Sequence, residues 1–229
     1  MSAVAELRRA IEARFPNAIP LPERTVPQVP TGVDALDRIL PSGGLPRGRL
    51  SVWMPGVGGC AVLRAACARA VDRGERAVWI DGSGTITPDV EWGGVVLARP
   101  KVERHALECA EELLRTGGFA VVVRIGEEAR GAERFRLCRA AREGGAALVE
   151  LSTDAHLAAV RIRGWTDPGS FRWRLNGWGE PEEIESVTVR VRVMAAGWSR
   201  ETNVVLAVSD HEHPLSLEPG LADRRGSTR

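Results

Sequence analysis

The chain of 229 residues contains no tyrosine and a single lysine, Lys101, so almost all of its basic residues are arginines. Tyrosine is one of the aromatic side chains on which unpaired bases stack, and its absence disfavours single-stranded nucleic acid as the main ligand. The formal net charge is only +1. The protein is therefore no general polycation, and any surface for nucleic acid or an acidic partner must be a local patch.

Signatures of metal binding, secretion and membrane insertion are also missing. The cysteines Cys60, Cys67, Cys109 and Cys138 form no C-x-x-C pair, and the alternating histidines at 211–213 lack further ligands nearby, so we expect no metal site. No apolar run approaches the ~20 residues that span a bilayer, and the N-terminus lacks the apolar region of a signal peptide. These absences predict a cytoplasmic protein with reduced thiols and no membrane partner.

The stretch from Leu50 to Leu63 reads as a short apolar strand, a glycine-rich turn and the start of a helix. This layout is that of a phosphate-binding P-loop, G-x-x-x-x-G-K-[ST], although other strand–turn–helix segments share it. The loop residues are Met54, Pro55, Gly56, Gly58, Gly59, Cys60 and Ala61. Met54 replaces the first glycine, Cys60 the lysine and Ala61 the hydroxyl residue, so the ammonium group and the Mg²⁺ ligand of a P-loop are absent.

The segments that flank this loop give it a context. They are Thr31-Gly32 with Leu36-Asp37, the turn at 43–48 and the strand end Ile80-Asp81. With the loop, they resemble the RecA family of recombination ATPases over residues 25 to 210, most clearly before residue 85. The resemblance implies an α/β fold with a RecA-like core. Such a core is a mostly parallel twisted sheet flanked by helices, with antiparallel strands at the C-terminal edge.

The chain departs from this family where ATP is hydrolysed. Ser83 stands where the family has its activating glutamate, and Arg124 stands where it has a second acid. With Cys60 and Ala61, four groups that position and stabilise a transferring phosphoryl are missing. We expect a protein that is not an enzyme and uses no cofactor. The alternative is a weak ATPase that relies on Asp81 and the backbone amides of an atypical P-loop.

A RecA-like core without ATPase chemistry resembles the ImuA family, RecA-like accessory proteins of bacterial SOS mutagenesis cassettes. This resemblance implies a role in translesion mutagenesis after DNA damage. It also implies two partners, RecA and an inactive Y-family polymerase-like protein of the mutasome. Homo-oligomers and weak DNA binding stay open.

The organisation along the chain is predicted as an N-terminal helix and Pro-rich linker over 1–30, the core over 31–210 and a flexible tail over 211–229. The helix at 2–15 carries an apolar stripe of Leu7, Ile11 and Phe15. This stripe packs either on its own core or on another chain, and RecA-family proteins use such a helix and linker to reach a neighbouring subunit.

Within the core, alternating strands and helices predict a parallel sheet. Its central strands are expected at 50–54, 77–81, 119–124 and 147–152, with helices at 61–72, 102–115 and 132–143. After residue 152 only strands follow, at 156–163, 171–175, 186–194 and 203–209. The connections after Arg124 and Ser152, where the family has its DNA-binding loops, are short.

The late strands alternate apolar residues with arginine, and alternate residues of a strand share a face. If the strands are neighbours, one basic face is formed by Arg161, Arg163, Arg172, Arg174, Arg190 and Arg192. Tryptophans lie close to these arginines in the sequence, and the combination suits a DNA backbone or a protein partner. The alternative is an ordinary solvated sheet face.

Overall fold

A computed structural model of the chain describes residues 27–56, 58–86, 92–195 and 197–207. The predicted helix at 2–15, the linker as far as residue 26 and the predicted tail at 211–229 lie outside the described residues. The predictions for them, including the apolar stripe of Leu7, Ile11 and Phe15, therefore stay predictions.

The described part contains ten strands and four α-helices. The strands are β1 (Gln28–Val29), β2 (Leu45–Pro46), β3 (Leu50–Met54), β4 (Ala77–Asp81), β5 (Val96–Ala98), β6 (Val121–Ile125), β7 (Ala147–Leu151), β8 (Val160–Leu175), β9 (Pro181–Ala195) and β10 (Trp198–Ala207). The helices are α1 (Asp34–Asp37), α2 (Gly59–Asp72), α3 (His105–Arg115) and α4 (Gly131–Gly144). β1 and β2 form a small antiparallel pair, and the other strands form one sheet.

The main sheet has eight strands in the order β10-β9-β8-β3-β7-β6-β4-β5. Neighbouring strands from β8 to β5 run parallel, whereas β9 and β10 run antiparallel to their neighbours. The predicted fold class is therefore confirmed: a mostly parallel sheet flanked by helices, with antiparallel strands at the C-terminal edge. The central strands are nearly continuous apolar runs because both of their faces are buried.

Helices cover the two faces of the parallel region. On one face α2 packs its apolar side chains, including Leu63 and Cys67, on Trp53 and Trp79. On the other face α3 and α4 pack on alternate residues of the same strands, which include Val122. Gly74 and Gly145 adopt positive φ after α2 and α4, so the helices end where the glycines predict.

The strands after residue 155 differ from the prediction in their number and in the direction of one of them. We predict two separate strands at 156–163 and 171–175, and the Asp167-Pro168-Gly169 sequence between them favours a turn. The structure instead has one strand, β8, whose register with β9 shifts between Thr166 and Phe171. The turn-forming residues are accommodated as an irregularity within the strand. β8 also pairs in parallel with β3, so only β9 and β10 form the antiparallel edge.

Candidate functional site

The glycine-rich turn lies at the carboxyl end of β3, between β7 and β8 in the sheet. Gly58 has a φ of +81°, a left-handed conformation that favours glycine, and α2 begins at Gly59. The Gly59 N–H donates a hydrogen bond to the Gly56 carbonyl oxygen at 3.1 Å. The turn thus uses one of its own amides internally, and Val57 lies outside the described residues.

The turn also packs closely on β8. A Cβ on Gly56 would overlap the Gly164 carbonyl oxygen, and a Cβ on Gly164 would lie 2.9 Å from the Gly59 Cα. From beneath, a Cβ on Gly59 would lie 2.8 Å from Nε1 of Trp53, which is buried. The absence of side chains on both segments therefore lets the turn and β8 touch backbone to backbone.

The side chains around this turn do not fit a Mg²⁺-nucleotide. Met54 is half-buried among the apolar residues beneath α3 and α4, Cys60 is exposed at the start of α2, and Ala61 is half-buried. None of the three carries an ammonium group for phosphate or a hydroxyl for Mg²⁺. The predicted strand and helix on either side of the glycine-rich turn are present, at Leu50–Met54 and Gly59–Asp72.

The acid at the end of β4, Asp81, is buried and its carboxylate is occupied by the loop that follows. It accepts hydrogen bonds from the backbone N–H groups of Thr85 and Ile86 at 3.2 and 3.0 Å, and from the Ser83 hydroxyl at 3.3 Å. Arg99 Nε lies 3.7 Å from its Oδ2. Asp81 thus holds the 83–86 loop against the edge of the sheet, and Ser83 is exposed beside it.

Arg124, at the position of the family's second acid, lies at the carboxyl end of β6 and is 2% exposed. Its Nε and Nη2 donate to Glu150 Oε1 at 3.0 and 2.7 Å, and its Nη1 donates to the Glu127 carbonyl oxygen at 2.6 Å. Glu150 lies directly opposite Arg124 on β7 and is fully buried. A buried ion pair therefore occupies the carboxyl ends of β6 and β7.

The ion pair continues onto α4. Arg134, which is also buried, has its Nη2 at 3.2 Å from Glu150 Oε2, and its Nη1 donates to Asp154 Oδ2 at 2.5 Å. Hydrogen bonding from the His156 backbone N–H, and further bonding from Arg134, lower the pKa of Asp154. Two arginines and two carboxylates thus form one connected network.

A third carboxylate lies at the same carboxyl end of β6 and β7. Glu128 accepts hydrogen bonds from the hydroxyls of Ser152 and Thr153 at 2.9 and 3.1 Å, and these lower its pKa. The short connections after β6 and β7, where the family has DNA-binding loops, are therefore tied to each other.

Glu150 and Arg134 are not among the residues predicted from the sequence. Glu150 is the one charged residue within the apolar β7 sequence, and Arg124 is the one charged residue of β6. Lone opposite charges within two buried apolar strands indicate that each needs a partner, but the sequence does not show that these two strands are neighbours. Arg134 had no comparable pattern, because α4 carries several arginines on its solvent side.

Four of the six predicted arginines lie together on an exposed sheet face. Arg163 is opposite Arg192, and Trp165 is opposite Arg190, with Arg161 two residues earlier on β8. The guanidinium carbons of Arg190 and Arg192 lie 5.8 and 5.5 Å from the Trp165 ring centroid. We call Arg161, Arg163, Trp165, Arg190 and Arg192 the arginine face.

Acidic residues partly neutralise the arginine face. Arg190 pairs with Asp167 at 3.2 Å, and Arg192 pairs with Glu201. In the described part of the chain, no hydrogen bond or ion pair engages the side chains of Arg161 and Arg163.

The other two predicted arginines, Arg172 and Arg174, lie beyond the irregularity of β8, towards the β8–β9 turn. Arg172 pairs with Glu185 at 2.8 Å and Arg174 pairs with Glu183. Glutamates of β9 therefore partly neutralise both arginines in this part of the hairpin.

Among the described residues, no group of three or more histidine, cysteine or acidic side chains is placed to hold a metal ion. In the same part of the chain, no helix combines the length and apolar character needed to cross a bilayer.

Curated relatives that match part of the chain are RecA proteins from several bacteria. RecA of Bifidobacterium longum is 34% identical over 110 residues, which cover 44% of this chain and 28% of that protein. RecA of Nocardia farcinica is 33% identical over 127 residues, which cover 52% of this chain and 34% of that protein. RecA of Thermus thermophilus is 33% identical over 111 residues, which cover 45% and 33%.

The mostly parallel sheet flanked by helices is consistent with the partial matches to RecA. The chain has a RecA-like core. No protein-family model matches it. The matched segments span only 28 to 34% of the lengths of these three relatives, so the matches concern a part of RecA. In the RecA-like core described above, the glycine-rich turn and the Arg124–Glu150 pair occupy neighbouring strand ends.

Proposed function

We propose that this chain is a non-catalytic RecA-like accessory protein of SOS-induced translesion mutagenesis. It acts by binding RecA and an inactive Y-family polymerase-like protein of the mutasome, and it restrains recombination. Its resemblance to the ImuA family and its RecA-like core support this role. The observation that carries the non-catalytic part is the buried Arg124–Glu150 pair at the position where the family has an acid.

The charge at this position opposes nucleotide chemistry. Mg²⁺ bound to a nucleotide needs oxygen ligands, and the Arg124 guanidinium offers none. The one buried carboxylate beside it, Glu150, is already engaged by Arg124 and Arg134. Asp81 is engaged by its own loop. Binding a metal–nucleotide here would require breaking contacts that hold the strand ends together.

Titration calorimetry with ATP and Mg²⁺ tests the non-catalytic part. We expect no measurable heat of binding and no hydrolysis by the purified full chain. The double variant Cys60→Lys, Ala61→Thr should not gain turnover, because Ser83 and Arg124 are unchanged. ATPase activity that disappears in an Asp81→Ala variant would contradict the proposal and favour the atypical ATPase.

The action on RecA follows from mimicry of a subunit. A RecA-like core preceded by the predicted helix and linker can occupy a subunit's place in a RecA assembly, while the short connections after β6 and β7 offer no long loop to surround DNA. The assembly would be capped or interrupted there. Leu7, Ile11 and Phe15 are the side chains we expect to dock on the neighbouring subunit.

Strand exchange by RecA from the same cell tests this action. We expect the full chain to slow strand exchange and the triple variant Leu7→Ala, Ile11→Ala, Phe15→Ala to lose most of the effect. Each fully buried side chain of this size contributes about 1.5–3 kcal/mol, so losing two of them weakens association roughly a hundredfold or more. If the full chain neither binds RecA nor slows strand exchange, the proposed mechanism is wrong.

DNA binding through the arginine face is a second candidate. Arg161 and Arg163, which have no acidic partner among the described residues, favour it. Changing Arg161 and Arg163 to Glu should abolish DNA binding, and the affinity of the unmodified chain should fall steeply with salt. Retained inhibition of RecA in that variant would show that the face is not needed for the leading function.

A further inference from the structure

Among the described residues, the β8–β9 hairpin extends beyond the other strands of the sheet. On one side β8 pairs with β3 only as far as Arg163, and on the other side β10 pairs with β9 only as far as Ser186. Residues 171–185 therefore form a two-stranded ribbon that no third described strand flanks. We call these residues the ribbon.

The ribbon exposes large apolar side chains at its end. Trp178 is 89% exposed, Leu175 57% and Trp173 46%. Trp173 lies opposite Ile184, and Leu175 lies opposite Pro181, so apolar residues from both strands meet in cross-strand pairs. Exposed apolar clusters of this kind mark interaction sites, since leaving them in water is unfavourable.

The turn that carries Trp178 is held by hydrogen bonds of its own backbone and of Asn176. Asn176 exchanges backbone hydrogen bonds with Glu180 and Gly179, at 2.9 and 3.0 Å. Its side-chain oxygen accepts from the backbone N–H groups of Trp178 and Glu180, at 3.0 and 2.9 Å. Because the backbone is already fixed, a partner that binds Trp178 need not order the turn.

Charge separates the ribbon from the arginine face. The ribbon carries two arginines and four glutamates, a formal net charge of −2. Both arginines, Arg172 and Arg174, are paired with Glu185 and Glu183, which leaves the glutamates at 180 and 182 near the turn outside these ion pairs. A nucleic-acid backbone would be repelled by this charge, whereas a protein surface with basic residues around an apolar pocket is complementary to it.

We propose that the ribbon is a docking arm that inserts Trp178 into an apolar pocket edged by basic side chains on a protein partner. The pocket would take the indole ring, while Leu175 and Trp173 cover its rim and Glu182 faces the basic edge. Exposed tryptophans in such positions often dominate the binding energy of an interface. The inference rests on the proposed function only for the choice of probes, which are RecA and the polymerase-like protein.

Binding of the full chain to each purified probe, measured by calorimetry, tests the arm. Trp178→Ala should weaken binding to one probe by about thirtyfold or more, the effect of losing a hot-spot residue. Glu182→Arg should also weaken it and reduce its dependence on salt. Phe135→Ala is the matched control, because Phe135 is 67% exposed on α4, and it should leave binding unchanged. The exposed position of Trp178 predicts an unchanged melting temperature for its variant.

The outcomes separate the two proposals. If the unmodified chain binds a probe and Trp178→Ala binds equally well, the docking arm is wrong and the proposed function stands. If the unmodified chain binds neither probe, the proposed function is wrong and the arm is refuted for these partners. If Trp178→Ala instead changes the sedimentation of the chain alone or its affinity for DNA, the occupant is a second copy or a nucleic acid, which also overturns the arm.

Discussion

The two halves of the sheet use the same chemical pair, arginine with glutamate, in opposite environments. Between β6 and β7, where helices cover both faces, Arg124 and Glu150 are buried and share hydrogen bonds at 3.0 and 2.7 Å. On β9 and β10, where one face is open, Arg192 and Glu201 pair with side chains that are 46% and 41% exposed. The two pairs therefore differ mainly in burial, which determines how much each contributes to the stability of the fold.

We call β3 to β7 with helices α2 to α4 the covered half, and β8 to β10 the open half. The two halves differ in what their ion pairs contribute. A buried charge without its partner is strongly unfavourable, so the covered half depends on its ion network to stay folded. Exposed pairs contribute little to stability, so the open half can exchange its ion pairs for contacts with a partner. We infer that the covered half maintains the fold and the open half carries the interaction surfaces.

The largest expected effect is from Glu150→Ala. This change leaves Arg124 and Arg134 buried without their shared carboxylate, and breaking such a pair costs about 3–5 kcal/mol. Urea denaturation should show a free energy of unfolding reduced by this amount, or a chain that no longer folds. The control Glu201→Ala removes an exposed partner and should change it by less than about 1 kcal/mol. Equal losses in the two variants would contradict the comparison.

The contact between the halves is tested by Gly164→Ala. The new Cβ would lie 2.9 Å from the Gly59 Cα, so the glycine-rich turn or β8 must move. We expect the free energy of unfolding to fall by about 1–3 kcal/mol, the usual range for overpacking. Gly177→Ala is the control, since no atom lies within 4 Å of its added Cβ. A Gly164→Ala protein as stable as the control would show that the close approach is dispensable.

The fold was largely predictable because its pattern is strong. Buried apolar runs separated by helical segments fixed the central strands, and the strand at 77–81 has the predicted bounds. The irregularity within β8 was not predictable in this way. The Asp-Pro-Gly sequence favours a turn locally, and only the pairing of β8 with β9 on both sides of it keeps the strand continuous.

The sequence was enough to predict which groups of an ATPase site are missing. It was not enough to predict the contacts made by the residues that stand in their place. The absence of a lysine at position 60 is read directly from the sequence. The contacts made by the residues that are present instead depend on tertiary structure. The pairing of Arg124 with Glu150 needs the order of β6 and β7 in the sheet, and the contact of Gly59 with Gly164 needs β8 beside β3. Neither distance follows from spacing along the chain.

The stability of the covered half should decrease in acid because of Asp154, which follows β7. Its pKa is lowered in the folded protein, so its contribution to stability is complete above the ordinary carboxyl pKa and is lost as the pH falls through the lowered folded value. Asp154→Asn should flatten the decline of the urea midpoint below about pH 4. The control Asp167→Asn alters an exposed pair of the open half. If Asp167→Asn flattens the decline of the urea midpoint as much as Asp154→Asn does, the acid response does not arise from Asp154.

The smallest effect concerns two thiols of the covered half that differ in burial. Cys60 is exposed at the start of α2, whereas Cys67, two turns further along the helix, is buried and has its pKa raised to about 12. The thiolate is the reactive form, so at pH 8 a disulfide reagent should modify Cys60 rapidly and reach Cys67 only when the protein unfolds. Cys60→Ser should remove the rapid phase, and Cys67→Ser should leave it. Rapid modification of Cys67 in the folded chain would mean that α2 opens readily from the sheet, and the covered half would then lack the rigidity that separates it from the open half.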